Sequence, residues 1–137
     1  MMAALSAGLA LSGANEAREH AYRRVQFKRR ITEFENTRLA LADCFTAAEA
    51  GRAMLEKCAH AAGNRDPRFA ELAAMAKLYC CRSAVDSLRR CVQVMSGSGY
   101  MRDFPVEVKY RDAKTAEVFF AEPSELGFFI ADCRGVN

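Results

Sequence analysis

Small and apolar residues return every three or four positions along most of this chain, and glycine and proline fall mainly between the segments where they do so. That spacing is the period of an α-helix buried on one side, and long β-branched runs that would favour strands are scarce. The pattern predicts helices and no sheet. The first helix is expected over about residues 3–24, with Ala7, Leu11, Ala14, Ala21 and Val25 on its packed face, and with Gly8 and Gly13 lowering its intrinsic stability. A second runs from about Glu35 to Ala62 on a stripe of Leu41, Phe45, Ala48, Leu55, Ala59 and Ala62, and Gly63-Asn64 stops it. The short loop from Asn64 to Pro67 favours an antiparallel neighbour, whose stripe is Leu72, Ala76, Cys80, Ala84, Leu88, Cys91 and Met95.

Ser96-Gly97-Ser98-Gly99 ends the third helix, and Pro105 suits the first turn of a fourth reaching about Phe119. Pro123 breaks the chain again before a last helix from about Ser124 to Cys133, with Leu126, Phe129 and Ile130 expected to face inward. The fold class is therefore all-α, an antiparallel helical bundle forming a single domain over residues 1–137, without internal repeats.

Composition narrows the function classes. A net charge of +3 is too slight for a dedicated nucleic-acid binder, and the one basic cluster, Arg23, Arg24, Lys28, Arg29 and Arg30, is interleaved only with Phe27 and Phe34. The sequence thus predicts no nucleic-acid partner. The apolar run from Met1 to Ala14 is too short to cross a bilayer as a helix and no positive charge precedes it, so it is expected to begin a helix, with no membrane span. The cysteines at 44, 58, 80, 81, 91 and 133 form no C-x-x-C pair, which points to free thiols in a reducing, intracellular compartment. His20 and His60 are isolated and Cys58-Ala59-His60 lacks the spacing of a closed site, so no metal is expected.

The most informative stretch is Arg24-Val25-Gln26-Phe27-Lys28-Arg29-Arg30-Ile31-Thr32-Glu33-Phe34-Glu35, followed by Leu41-Ala42-Asp43. It resembles the R-x-Q-F-G-x-x-I-x-x-F-Q…L-A-D signature joining the first two helices of the acyl-CoA dehydrogenase C-terminal domain. Met75-Ala76-Lys77, the run from Gln93 to Tyr100, Arg102 to Glu107 and Arg111 to Lys114 resemble the family's next blocks, in order and at matching spacing. The resemblance covers about residues 7 to 134.

The resemblance implies a four-helix bundle that contacts the ADP half of a flavin adenine dinucleotide (FAD) bound by a neighbouring subunit. It places Arg24 beside the phosphates, Gln26 and Phe27 against the cofactor, and Gln93 with Gly97 at the adenosine end. A guanidinium suits a diphosphate and a glycine turn permits close backbone approach. Two signature glycines are replaced, one by Lys28 and one by Ser96. The family's catalytic base falls in a Y-E-G-T-x-E-I stretch, and the matching stretch here puts Phe120 or Ala121 in the base position; neither accepts a proton. Glu122, the nearby carboxylate, carries the signature of a helix start with Pro123 and Ser124. The alternative base position on the first helix would fall upstream of Met1. No catalytic residue is therefore expected.

Two functions remain open at this level. One is a subunit of an oxidoreductase acting on CH–CH groups, contributing to FAD only as a homo-oligomer or with a partner subunit that carries the missing domains. The other is a non-catalytic scaffold in a larger assembly. By resemblance the compartment is the mitochondrial matrix or the bacterial cytoplasm.

Overall fold

The computed structural model describes residues 1–136. Helix α1 spans Met2–Arg23, followed by a hairpin of β1 (Val25–Gln26) and β2 (Arg29–Arg30) and a 3₁₀ turn, Ile31–Glu33. The long helices α2 (Glu35–Gly63) and α3 (Phe69–Met95) come next, then a short α4 (Gly97–Tyr100), α5 (Val106–Val118) and α6 (Pro123–Cys133). The expected bundle is present and its helix bounds agree with the sequence within a few residues. The expectation of no sheet is corrected: β1 and β2 pair antiparallel, Val25 with Arg30 and Gln26 with Arg29.

Helix α3 is the axis of the bundle, packed against α1, α2, α5 and α6. Its buried residues include Leu72, Ala76, Cys80, Ala84, Leu88, Cys91 and Met95, the expected stripe, and also Ala74, Cys81 and Ser87 on other faces. A helix surrounded by neighbours buries more than one face. Cys81 is therefore a core residue, its Sγ 3.3 Å from Ser6 Oγ of α1 and donating to Ala116 O of α5 at 3.5 Å.

The packed face of α1 matches the expected one in part, with Ala14 and Ala21 buried as expected. Ala3, Ser6, Ala10, Gly13, Ala14, Ala17 and Ala21 are buried, whereas Leu11 and Val25 are exposed. Apolar residues surround the first half of α1, so periodicity could not choose among its faces. Shape did: the smallest side chains let α1 approach α3, and a Cβ added at Gly13 would stand 2.3 Å from Leu88 Cδ2. In α2, Leu41, Cys44, Ala48, Gly51 and Ala61 are buried while Ala59 and Ala62 are exposed, again where alanines occupy several faces. Phe129 of α6 is exposed rather than inward, because α6 packs chiefly on α3 and buries no residue fully.

Polar contacts fix the outer elements. Lys109 Nζ of α5 donates to Glu16 Oε2 of α1 at 2.8 Å with both side chains largely buried. Glu71 near the start of α3 pairs with Arg68 and, across the chain, with Arg134 just beyond α6. Lys77 of α3 donates to Ala121 O just beyond α5 at 2.6 Å and to Glu117 O in its last turn at 3.3 Å, satisfying carbonyls at the end of that helix. No helix among the described residues is long and apolar enough to cross a membrane.

Candidate functional site: a groove between the hairpin and the end of α3

Helix α1 stops because Arg24 is extended, and Ile31 N–H donates to Arg24 O at 3.0 Å to close the ladder of the hairpin. With Gln26 paired to Arg29, the loop is the two residues Phe27 and Lys28, at φ +51° and +63°. Positive φ at both central residues is the type I′ geometry that matches the twist of a hairpin and favours Asn-Gly. Here a phenylalanine and a lysine hold it, and Phe27 stands 88% exposed at the tip. Arg30 N–H then donates to Glu33 Oε1 at 3.1 Å, locking the 3₁₀ turn that leads into α2.

This hairpin and the start of α2 form one bank of an open groove of about 500 Å³; the last turns of α3 form the other. Gln26, Phe27 and Asn36 line the first bank, Arg89, Arg90 and Gln93 the second, over apolar contacts from Ile31, Phe34, Ala40 and Val94. Residues 26 and 27 thus meet residue 93 across the fold. The volume lies within the range of small-molecule sites, and the mixture of an apolar floor with a few amides and cations suits a polar ring system carrying a charged tail.

The cations of the groove are held in position. Arg90 Nη1 donates to Asp43 Oδ2 and Arg90 Nε to Asp86 Oδ2, each at 2.9 Å, and Arg89 Nη2 donates to Asp86 Oδ1 at 2.8 Å. The Asp86 carboxyl is held below its ordinary pKa by its hydrogen bonds from Arg89 and Arg90. Glu33 is lowered by the Arg30 backbone N–H and then the Arg29 side chain.

Arg24 lies beside the groove rather than in it. It lines an adjoining hollow with Glu16, His20 and Phe104, and with the Gln26 amide oxygen turned toward it, Arg24 Nη2 donates at 2.7 Å. The His20 imidazole there is depressed by burial and then by Arg24. Gly97 opens α4, is exposed and does not line the groove; its neighbour Ser96 does. Sequence reasoning missed Asn36, Arg89 and Arg90. Arg89 and Arg90 precede Gln93 by four and three positions, the spacing that puts helical side chains on one face, and that signal was available.

At the far end of the molecule, Phe120 has φ +69° and is 76% exposed, stacked edge-on with Phe119. Glu122 is the N-cap of α6, its N–H donating to Glu125 Oε2 at 2.8 Å. No group of three or more His, Cys, Asp or Glu side chains converges among the described residues.

The described residues form an all-α bundle with an open, amide-lined groove at one end. Comparison with known proteins makes the class specific. The pattern of the acyl-CoA dehydrogenase C-terminal domain matches residues 1–120, and the chain belongs to the acyl-CoA dehydrogenase family. It is 36% identical over 118 residues to a short-chain specific acyl-CoA dehydrogenase of Clostridium acetobutylicum, covering 86% of this chain and 31% of that protein. With an acyl-CoA dehydrogenase of Bacillus subtilis it shares 38% over 120 residues, again 86% of this chain and 31% of the relative. Butyryl-CoA dehydrogenase from Megasphaera elsdenii superposes with a TM-score of 0.94 at 28% identity, over 97% of this chain and 34% of that one. The chain thus spans about a third of the length of the relatives it matches. Members of the family are FAD-dependent oxidoreductases.

Proposed function

We propose that this domain supplies one wall of an FAD site in an oxidoreductase acting on CH–CH groups, contacting the adenosine diphosphate half of the cofactor at a subunit interface. We assign to this wall Arg24, Gln26, Phe27, Gln93 and Gly97, of which Gln26, Phe27 and Gln93 line the groove while Arg24 and Gly97 lie outside it. The observation that carries this reading is the meeting of Gln26, Phe27 and Gln93 in one groove. Their chemistry fits the group. Amides give and accept hydrogen bonds to ribose and adenine, an exposed phenyl ring can stack on a base, and a guanidinium pairs with phosphate. Bound FAD would supply the hydride acceptor; this chain's residues bind and orient its adenosine end. Because one wall is insufficient for tight binding, the rest of the site comes from a second copy or from a partner bearing the parts of the relatives that this chain does not span.

The chain alone is not a catalyst in this reading. Phe120 or Ala121 occupies the base position, and Glu122 is engaged as a helix cap. Nuclear magnetic resonance titration with FAD tests the wall: resonances of Gln26, Phe27 and Gln93 shift together. Shifts confined to other surfaces, or none at millimolar ligand, would overturn it. Turnover of an acyl-CoA with an artificial electron acceptor, abolished by Glu122→Gln, would overturn the non-catalytic assignment.

A second reading, a scaffold without flavin, is favoured by one observation: two positions that the family fills with glycine hold Lys28 and Ser96. Flavin absorbance of the protein purified with its partners separates the two readings.

A further inference from the structure

Lys28 is the odd cation of the hairpin. Arg23 pairs with Glu19 at 3.4 Å and Arg29 with Glu33 at 3.3 Å. Arg30 lies over the Tyr22 ring at 4.3 Å, and Arg24 is bonded to Gln26. Lys28 alone of the five makes no hydrogen bond, ion pair or ring contact among the described residues. It also holds a left-handed backbone that disfavours every side chain but the shortest, at the exposed tip of a hairpin where nothing packs on it. Backbone strain of this kind clusters at active sites and ligand clamps, and here it is imposed by the two-residue turn between the paired strands. The adjacent Phe27 and Gln26 line the groove, so the tip stands at its rim.

The position selects the ligand. An ammonium on four methylene groups, placed next to a groove suited to a nucleoside, reaches the part of a nucleotide that leaves the groove, which is its phosphate chain. Within the proposed cofactor site, we propose that Lys28 is a phosphate-binding residue, pairing with the diphosphate of a dinucleotide whose adenosine half lies between Phe27 and Gln93. It replaces by charge what a glycine at this position would provide by close backbone approach. This rests on the groove reading above, and it adds a residue where the chain departs from the family signature.

The test compares adenosine with ADP on the 137-residue chain, by resonance shifts, for the wild type, Lys28→Met and Lys28→Gly. Met keeps the stem and removes the charge; Gly also relieves the backbone. Both are expected to weaken ADP binding about five- to tenfold at low salt and to leave adenosine binding unchanged. The difference should shrink as salt is raised. If adenosine binds the wild type and ADP binds no better, or if Lys28→Gly binds ADP as tightly as the wild type, the Lys28 assignment falls while the groove reading stands. If neither ligand binds the wild type, both fall.

Discussion

At the scale of single residues, the left-handed backbones held by a serine and a lysine carry the clearest consequence. Ser96 holds φ +53° and ψ −132°, and Lys28 holds φ +63°; both backbones are those that glycine adopts without a steric penalty. Ser96→Gly should therefore raise unfolding stability by about 1 kcal/mol, the relief of strain exceeding the added entropy of an unfolded glycine. Urea denaturation checks it, and a variant no more stable than the wild type would show that Ser96 is not strained. His20 sets a pH effect. Its folded-state pKa is depressed, by burial first and Arg24 second, below the ordinary value of about 6.5, so the unfolded chain takes up the proton first. This share of stability is complete above the unfolded pKa and is lost as pH falls through the folded one. The depressed carboxyls Glu33 and Asp86 act in the same direction at lower pH, as pH falls below their ordinary values. His20→Gln should accordingly flatten the fall in melting temperature as pH drops below about 6.5 and leave the steeper acid limb in place. Equal slopes in both proteins across that window would refute it. That residues 28 and 96 are not glycines was readable from the sequence; the backbone that makes this costly was not, because φ is a property of the turn and not of the residue in it.

Within the elements, helix bounds were readable and helix faces only in part. The turn signals at Gly63-Asn64, Pro105 and Pro123 act locally, so they placed the ends of α2, α5 and α6 within a few residues. The face of α1 was legible at Ala14 and Ala21 but not at Leu11, because its first half is apolar all round and the choice there was made by which side could come closest to α3. The hairpin was missed because two-residue strands are set by turn geometry, which carries no alternation to detect. Of the site, Gln26, Phe27 and Gln93 were named from the signature, while Arg89 and Arg90 required the two banks to be seen together. The two glycines of α1 turn this difference into a measurement. A Cβ at Gly8 meets nothing within 4 Å, so Gly8→Ala should stabilise by about 0.5–1 kcal/mol through helix propensity. A Cβ at Gly13 would stand 2.3 Å from Leu88, which is fully buried and has nowhere to swing, so Gly13→Ala should destabilise by about 1–3 kcal/mol despite the same propensity gain. Thermal unfolding of the pair decides it: changes of the same sign would mean that α1 and α3 are not in close contact at Gly13.

For the whole molecule, the distribution of apolar surface is what remains to be accounted for. The core is made largely of alanine, cysteine and a few larger side chains, while several of the phenylalanines lie outside it. At the end away from the groove, Phe119 is 51% exposed, Phe120 76% and Phe128 73%, and no side chain of α6 is fully buried. Fully covering one such ring is worth about 1.5–3 kcal/mol, so a chain that leaves several in water gains by covering them. Association is therefore the expected state, with a second copy or with a partner that supplies the remaining walls of the proposed cofactor site. Light scattering of the purified chain at micromolar concentration should give a mass above 15.2 kDa, or else the monomer should brighten an apolar dye strongly. Phe128→Lys separates this from a property of the rest of the surface. It lies on an exposed helix position where the fold tolerates a long polar side chain, and it should lower the associated fraction or the dye signal while leaving the melting temperature nearly unchanged. A monomer of 15.2 kDa that does not bind dye would refute the expectation. A Phe128→Lys chain that associates as the wild type does would move the contact away from α6, toward α1, where Leu5 and Leu11 are exposed leucines.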